Sequence, residues 1–240
     1  MRHRYIVGSS NGRLKCGSIA ENLDSSIVAL YSKFRGLSSV HINCNDTKFC
    51  VSGNKEPDMP AVVAIYDIAT QVRCAELKGV HEDSINITRF TNHSPDILAT
   101  CSFDCKLKLW DLRMPSHREL YSIETPKSLV MINFSPSDAY ILSSGADNEV
   151  HQYLVADGRK HVSFKIPKSG SDLNFTRSYY SASGAFILTG GSEEDCLNMM
   201  STATGDLILN IPLFPGSDFS SLYIQVCMFS IRTGTNLNSK

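Results

Sequence analysis

Residues 79–113 read GVHEDSINITRFTNHSPDILATCSFDCKLKLWDLR, from Gly79 to Arg113, and carry the plan that the rest of the chain repeats less clearly. A Gly-x-His opening at Gly79 and His81 stands beside a turn. The alternating run Ile85-Asn86-Ile87-Thr88-Arg89-Phe90 follows, and Ser94-Pro95-Asp96 breaks it. A second short run spans Ile97 to Ser102, a tight turn carries Asp104, and a third run from Lys106 to Trp110 ends in Trp-Asp. Short apolar runs bounded by Gly, Pro and Asp predict strands, and the alternation puts Leu107 and Leu109 on one face. Glu119 to Ile123 supplies the outer strand, so the stretch is one antiparallel unit of four strands.

With Gly-x-His at its start and Trp-Asp at its end, the unit resembles the blade of the WD-repeat (WD40) family. The resemblance implies a buried hydrogen-bond relay from the Trp indole through a hydroxyl to the His ring and on to an Asp in the turn. Trp110, Ser102 or Thr100, His81 and Asp104 occupy those slots. Their chemistry suits a relay: an indole only donates, a hydroxyl passes the bond on, and a neutral imidazole offers one donor and one acceptor. These residues are read as structural. A Ser, a His and an Asp in one unit suggest a hydrolase triad, but no nucleophile-elbow sequence surrounds Ser102.

The plan recurs along the chain. Tyr5 to Ile19 matches Leu98 to Leu112, with Asn11 in the turn slot of Asp104, so the sequence opens inside a blade at its second strand, and Ser26 to Tyr31 closes that partial unit. Complete units are expected at about 37–77, 78–125, 126–173 and 174–213, after the partial one at 1–36, with His161 to Ile166 as the outer strand of the fourth unit and Phe175 to Tyr180 as the first strand of the fifth. Tyr66, Tyr153 and Met200 stand where Trp110 stands, and Asp147 precedes Tyr153 at the interval that separates Asp104 from Trp110. In the fifth unit Tyr179-Tyr180 ends a first strand, with one ring expected inward and the other exposed. The loop NKEPDMP, from Asn54 to Pro60, carries prolines and charges and reads as an exposed loop, a place where binding residues collect or an insertion is tolerated.

Units repeating at a period of about forty residues predict an all-β propeller of four-stranded antiparallel blades over residues 1–213. About four complete blades and a partial one fall short of the seven that the resemblance implies for most members, so an incomplete ring from a truncated chain is expected. Residues 214–240 lose the blade pattern, and their polar end is expected to be disordered.

Composition narrows the function. The 240 residues carry a formal charge of −1 with both signs interleaved, which gives no footprint for direct nucleic-acid or anionic-membrane binding. Eight cysteines are scattered without a Cys-x-x-Cys pair, so no metal or other cofactor is expected, and the thiols read as small buried residues of a reducing compartment. The apolar run at the N-terminus stops after Ile6-Val7, too short for a signal peptide. An intracellular protein, nuclear or cytoplasmic, is expected.

The sharpest local signal is Trp110-Asp111-Leu112-Arg113. Residues 98–113 resemble the box of WD-repeat substrate receptors of cullin-4 RING ubiquitin ligases, through small Ala99, Thr100 and Ser102, acidic Asp104, apolar Leu107 and Leu109 and the terminal Trp-Asp-x-Arg. The segments LSSVHINCNDTKF and DNEVHQYLVADGR extend the likeness to a plant-type group of such proteins. The resemblance implies docking on the damage-specific DNA-binding protein adaptor through Asp111 and Arg113, with an unknown substrate as second partner. Arg113 paired with Asp111 or simply solvated is the plainer alternative. Two readings stay open: a non-enzymatic receptor of a cullin-4 ligase, or a general WD-repeat scaffold of a chromatin, RNA-processing or signalling complex. An enzyme would need acids or a metal cluster converging on the channel, and Glu193-Glu194-Asp195 reads as solvated acids in a turn.

Overall fold

Where the sequence alternates, the chain is extended. The computed structural model describes residues 4–8, 14–18, 26–28, 36–57, 60–114 and 118–213, and among them there is no helix. The strands form five antiparallel sheets, each a meander whose spatial order is its order in the chain. The first sheet holds β1 (Arg4–Gly8), β2 (Leu14–Ser18) and β3 (Ser26–Val28), and the second holds β4 (Leu37–Ile42), β5 (Lys48–Gly53), β6 (Val62–Asp67) and β7 (Arg73–Lys78). The third contains β8 (Ile85–Phe90), β9 (Ile97–Ser102), β10 (Lys106–Asp111) and β11 (Glu119–Glu124). In the fourth are β12 (Leu129–Phe134), β13 (Tyr140–Gly145), β14 (Val150–Leu154) and β15 (Lys160–Ser163), and in the fifth β16 (Arg177–Tyr180), β17 (Phe186–Gly190), β18 (Cys196–Ser201) and β19 (Leu207–Pro212).

Sheets stack through their first strands. β4 lies against β8, β8 against β12 and β12 against β16, while β5, β9 and β13 each meet the first strand of the next sheet. The first strands therefore gather on one axis and the fourth strands lie outermost, the arrangement of blades in an all-β propeller. β1 lies against β4 as β5 lies against β8. Between the second and third sheets, Val63, Ile65 and Leu77 pack on Phe90, Leu98 and Trp110. Ala99, Leu107 and Leu109 then pack on Ile132, Phe134 and Tyr153, and Leu142, Val150 and Val162 on Tyr180, Ile187 and Met200. The second, third and fourth sheets each bury one face against the sheet before and the other against the sheet after, which is why strands such as β5 and β6 are buried on both faces.

One irregularity recurs. In the pairing of third and fourth strands the register slips between Ile65 and Tyr66, Leu109 and Trp110, Gln152 and Tyr153, and Met199 and Met200. Each slip is a bulge that leaves one outer residue unpaired, namely Cys74, Leu120, His161 and Ile208. A bulge increases local twist and re-aims the side chain beside it. Tyr66, Trp110, Tyr153 and Met200 all follow a bulge and all are buried.

Several strand ends differ from the sequence reading. Expected to run to Ile166, the outer strand of the fourth sheet ends at Ser163, because the Lys165 N–H donates to the Gly205 carbonyl of the neighbouring sheet. The first strand of the fifth sheet starts at Arg177, and Phe175 makes only an isolated bridge to Ala146. Tyr180 is buried, but Tyr179, expected to be exposed, is half-buried. Asp147 does not copy Asp104: it accepts from Gly170 N–H at 2.7 Å and from Ser169 rather than from a histidine. Asn11, residues 29–31 and residues 214–240 lie outside the described residues.

Candidate protein-docking site

The third sheet builds the site from both ends of β10. At one end, the β9–β10 turn places Cys105 at φ 64°, a left-handed residue that closes the turn tightly and aims Asp104 back at the preceding loop. His81 Nδ1 lies 2.9 and 3.1 Å from the two Asp104 carboxylate oxygens, and its Nε2 lies 2.7 Å from Thr100 Oγ1. The Trp110 indole N–H donates to the same Thr100 oxygen at 3.0 Å. An indole cannot accept, so the Thr100 hydroxyl donates onward to Nε2, and the proton on the ring sits at Nδ1, facing the carboxylate. Trp110, Thr100, His81 and Asp104 thus form one directed chain through the sheet. Ser102, the other hydroxyl weighed for that chain, accepts the Asp104 N–H at 3.1 Å and holds the turn instead.

Charge in this chain is fixed by burial. Burial pushes the His81 imidazole below its ordinary value despite the neighbouring Asp104, so the ring is neutral. Burial also pulls the Asp104 carboxyl upward, but bonds from the Glu82 N–H, from His81 and from the Lys106 N–H outweigh it and leave the group below the usual carboxylate range. Breaking one link strands a buried partner, which costs about 1–3 kcal/mol.

The other end of β10 carries Asp111, Leu112 and Arg113. The Leu112 N–H donates to the Asp96 carbonyl at 2.9 Å, which turns the chain outward after β10. Asp111 accepts from the Arg113 backbone N–H at 2.9 Å, from Nε at 2.9 Å and from Nη2 at 2.6 Å. Its side chain is 10% exposed and that of Arg113 67%. The bonds from Arg113 hold the Asp111 carboxyl below the usual range, and in return Arg113 is raised. A guanidinium carries five N–H donors, so this fork leaves further donors directed at solvent. Lys48 and Asp96 make an ion pair of 2.7 Å, and the Asp96 charge is also felt at Arg113, so the rim here is charged and set. The two ends of β10 lie about 20 Å apart at strand rise, and Arg113 takes no part in the relay.

In the fourth sheet Asp157 accepts from the Arg159 backbone N–H at 3.0 Å and from its Nε at 2.6 Å, a similar fork between β14 and β15, but the second sheet does not reproduce this rim. Asp67, the counterpart of Asp111, accepts from Thr70 N–H and Thr70 Oγ1 at 2.8 and 2.9 Å, closing its own turn. The loop after Gly53 reaches the third sheet: Lys55 N–H donates to Ser84 Oγ at 3.0 Å, and Lys55 Nζ to the Glu82 carbonyl. Among the described residues no group of three or more His, Cys, Asp and Glu could hold a metal, and no helix is long and apolar enough to cross a membrane. Cys50 and Cys101 are free and buried, and burial pushes both thiols up, Cys50 to about 12. Sequence reasoning passed over Arg89 as one more polar residue of an alternating strand. The signal that would have singled it out is positional: the next-to-last residues of β4, β8, β12 and β16 are His41, Arg89, Asn133 and Tyr179, all polar or aromatic.

The WD domain, G-beta repeat family matches residues 75–111, most of β7 followed by the third sheet without its outer strand. The chain is 38% identical over 229 residues to Protein DWD HYPERSENSITIVE TO UV-B 1 of Arabidopsis thaliana, a match that covers 92% of this chain and 29% of that protein. It is 23% identical over 172 residues to DDB1- and CUL4-associated factor 10 of Xenopus laevis, covering 67% of this chain and 37% of the relative. With E3 ubiquitin-protein ligase COP1 of Arabidopsis thaliana the identity is 27% over 112 residues, 43% of this chain and 16% of the relative. The chain therefore spans about three tenths of the length of the first of these relatives.

Proposed function

This chain belongs to the WD-repeat family, and we propose that it serves as a non-enzymatic receptor subunit of a cullin-4 RING ubiquitin ligase, docking on the adaptor through Asp111 and Arg113. The observation that carries the reading is the Asp111–Arg113 fork at the rim, with Arg113 held in place by a nearly buried acid yet 67% exposed. An arginine fixed before binding loses less side-chain freedom when it meets a carbonyl or carboxylate cluster, and planar fork donors suit such partners. Two relatives support it by their printed names, one a protein associated with DDB1 and CUL4 and the other a ubiquitin ligase. The substrate is taken by another part of the propeller, and the complex works inside the cell, in nucleus or cytoplasm.

The alternative is a general scaffold of another assembly. It is favoured by the same ion pair, since Asp111 already supplies Arg113 with a carboxylate and the arginine then needs no partner. A pull-down with purified cullin-4 adaptor separates the two. The parent chain captures the adaptor and Arg113→Ala does not, while the variant melts as the parent does. Equal capture by both sinks the receptor reading and leaves the scaffold.

A further inference from the structure

The four first strands that gather on the axis read LSSVHI, INITRF, LVMINF and RSYY, and they hold no Asp or Glu. They do hold Arg89 and Arg177. Register puts His41 opposite Cys50, Arg89 opposite Ala99, Asn133 opposite Leu142 and Tyr179 opposite Leu188, the same level in each sheet. Two of these residues tie neighbouring first strands together: His41 Nδ1 accepts the Phe90 N–H at 3.2 Å, and Asn133 Nδ2 donates to the Ser178 carbonyl at 2.6 Å.

Arg89 does not. It is half-buried, and among the described residues no hydrogen bond or ion pair involves its guanidinium. Register and the stacking of the first strands set it level with His41, Asn133 and Tyr179 beside the axis. Among the described residues its neighbours offer no counter-charge. His41 is neutral, its pKa pushed down to about 3 by burial and then by Arg89, and Cys50 and Cys101 are held as thiols by burial. A half-buried guanidinium with no acceptor among the described residues keeps its fork of parallel N–H donors available, and that fork matches the two oxygens of a carboxylate or phosphate.

We propose that Arg89 is an oxyanion site on the propeller axis that receives a carboxylate or phosphate group. The assignment stands apart from adaptor docking, because Arg89 is on β8 and Arg113 follows β10. Thermal melts of the full chain in sodium phosphate, in sodium acetate and in chloride at equal ionic strength test it. The midpoint of the parent rises with the concentration of phosphate, acetate or both over chloride, as mass action requires of a ligand that binds the folded state. Whichever anion acts identifies the group that the site takes. Arg89→Met loses that rise and melts in chloride no lower than the parent, since the stranded charge is gone. Arg89→Lys keeps a charge but not the fork, and needs about tenfold more anion for the same rise. Should Arg89→Met fail to fold, the Lys variant decides. No rise in the parent, an equal rise in Arg89→Met, or an unchanged response in Arg89→Lys overturns the site; adaptor capture by Arg89→Met that matches the parent leaves the docking reading intact whichever way the melts fall.

Discussion

At Thr100 a single hydroxyl holds two rings. It accepts from the Trp110 indole and donates to His81, so Thr100→Val, nearly the same in shape, strands both partners at once. Chemical denaturation should show a loss of about 1–3 kcal/mol, with Thr100→Ser recovering most of it. The residue types of this relay were legible in the sequence, but Thr100 and Ser102 could not be told apart there. Both are buried on β9, and only the register, which sets Thr100 opposite Lys108 and Ser102 next to the turn, separates them. His41 was not legible as anything more than a histidine. With an ordinary imidazole value of 6.5 in the unfolded chain and about 3 in the folded one, the unfolded state takes the proton first as pH falls. Stability from this group is therefore whole above 6.5 and lost towards 3. Denaturation midpoints across that range should decline from the top of the window, above the ordinary carboxylate range, and His41→Gln, which keeps an acceptor for the Phe90 N–H, should flatten that upper part. An unchanged upper slope in the variant would assign the acid loss to the carboxylates.

Among the elements, the strands themselves could be read with little error, because Gly, Pro and Asp punctuate alternating runs and the third unit supplies a template. What could not be read is the bulge. It is a change in pairing rather than in residue type, yet it explains how a Trp, two tyrosines and a methionine share one slot: each side chain is aimed by the slip beside it and not by its own shape. Met200 is fully buried there against Val162 and Tyr180. Met200→Ala should cost about 2–5 kcal/mol in a thermal or denaturant melt, the range for truncating a buried long side chain. Loss of the expected extension of β15 to Ile166 has a similar origin, since Phe164 and Ile166 stay buried while the backbone pairs across to the next sheet. β19 differs from its counterparts. Tyr121 and Ile123 of β11 are packed against the fourth sheet, whereas Leu209 of β19 is 51% exposed and Ile211 37%. An apolar outer strand of this kind promotes edge pairing and self-association. Leu209→Lys should reduce light scattering of concentrated protein while changing stability by no more than about 0.5 kcal/mol, the usual range for exposed positions.

For the whole molecule, the propeller architecture sets the buried relay, the Arg113 rim and the axial arginine in different places on one stack of sheets. The blade count followed from the repeat period, because a sheet that buries both faces must recur at the spacing of its strands. The charged rim followed only in part. Asp111 and Arg113 were singled out by their pattern, but their mutual fork, the Lys48–Asp96 pair beside them and the reach of Lys55 onto Glu82 depend on contacts between sheets that no local pattern carries. The account turns on whether a prepositioned arginine at that rim is a docking anchor. A calorimetric titration of purified cullin-4 adaptor into the parent, Arg113→Ala and Arg113→Lys chains tests this most directly. A centrally placed anchor accounts for 2 kcal/mol or more, so Arg113→Ala should weaken binding by about thirtyfold or beyond, with Arg113→Lys between it and the parent and all three melting alike. Equal affinities for the three chains would contradict the account.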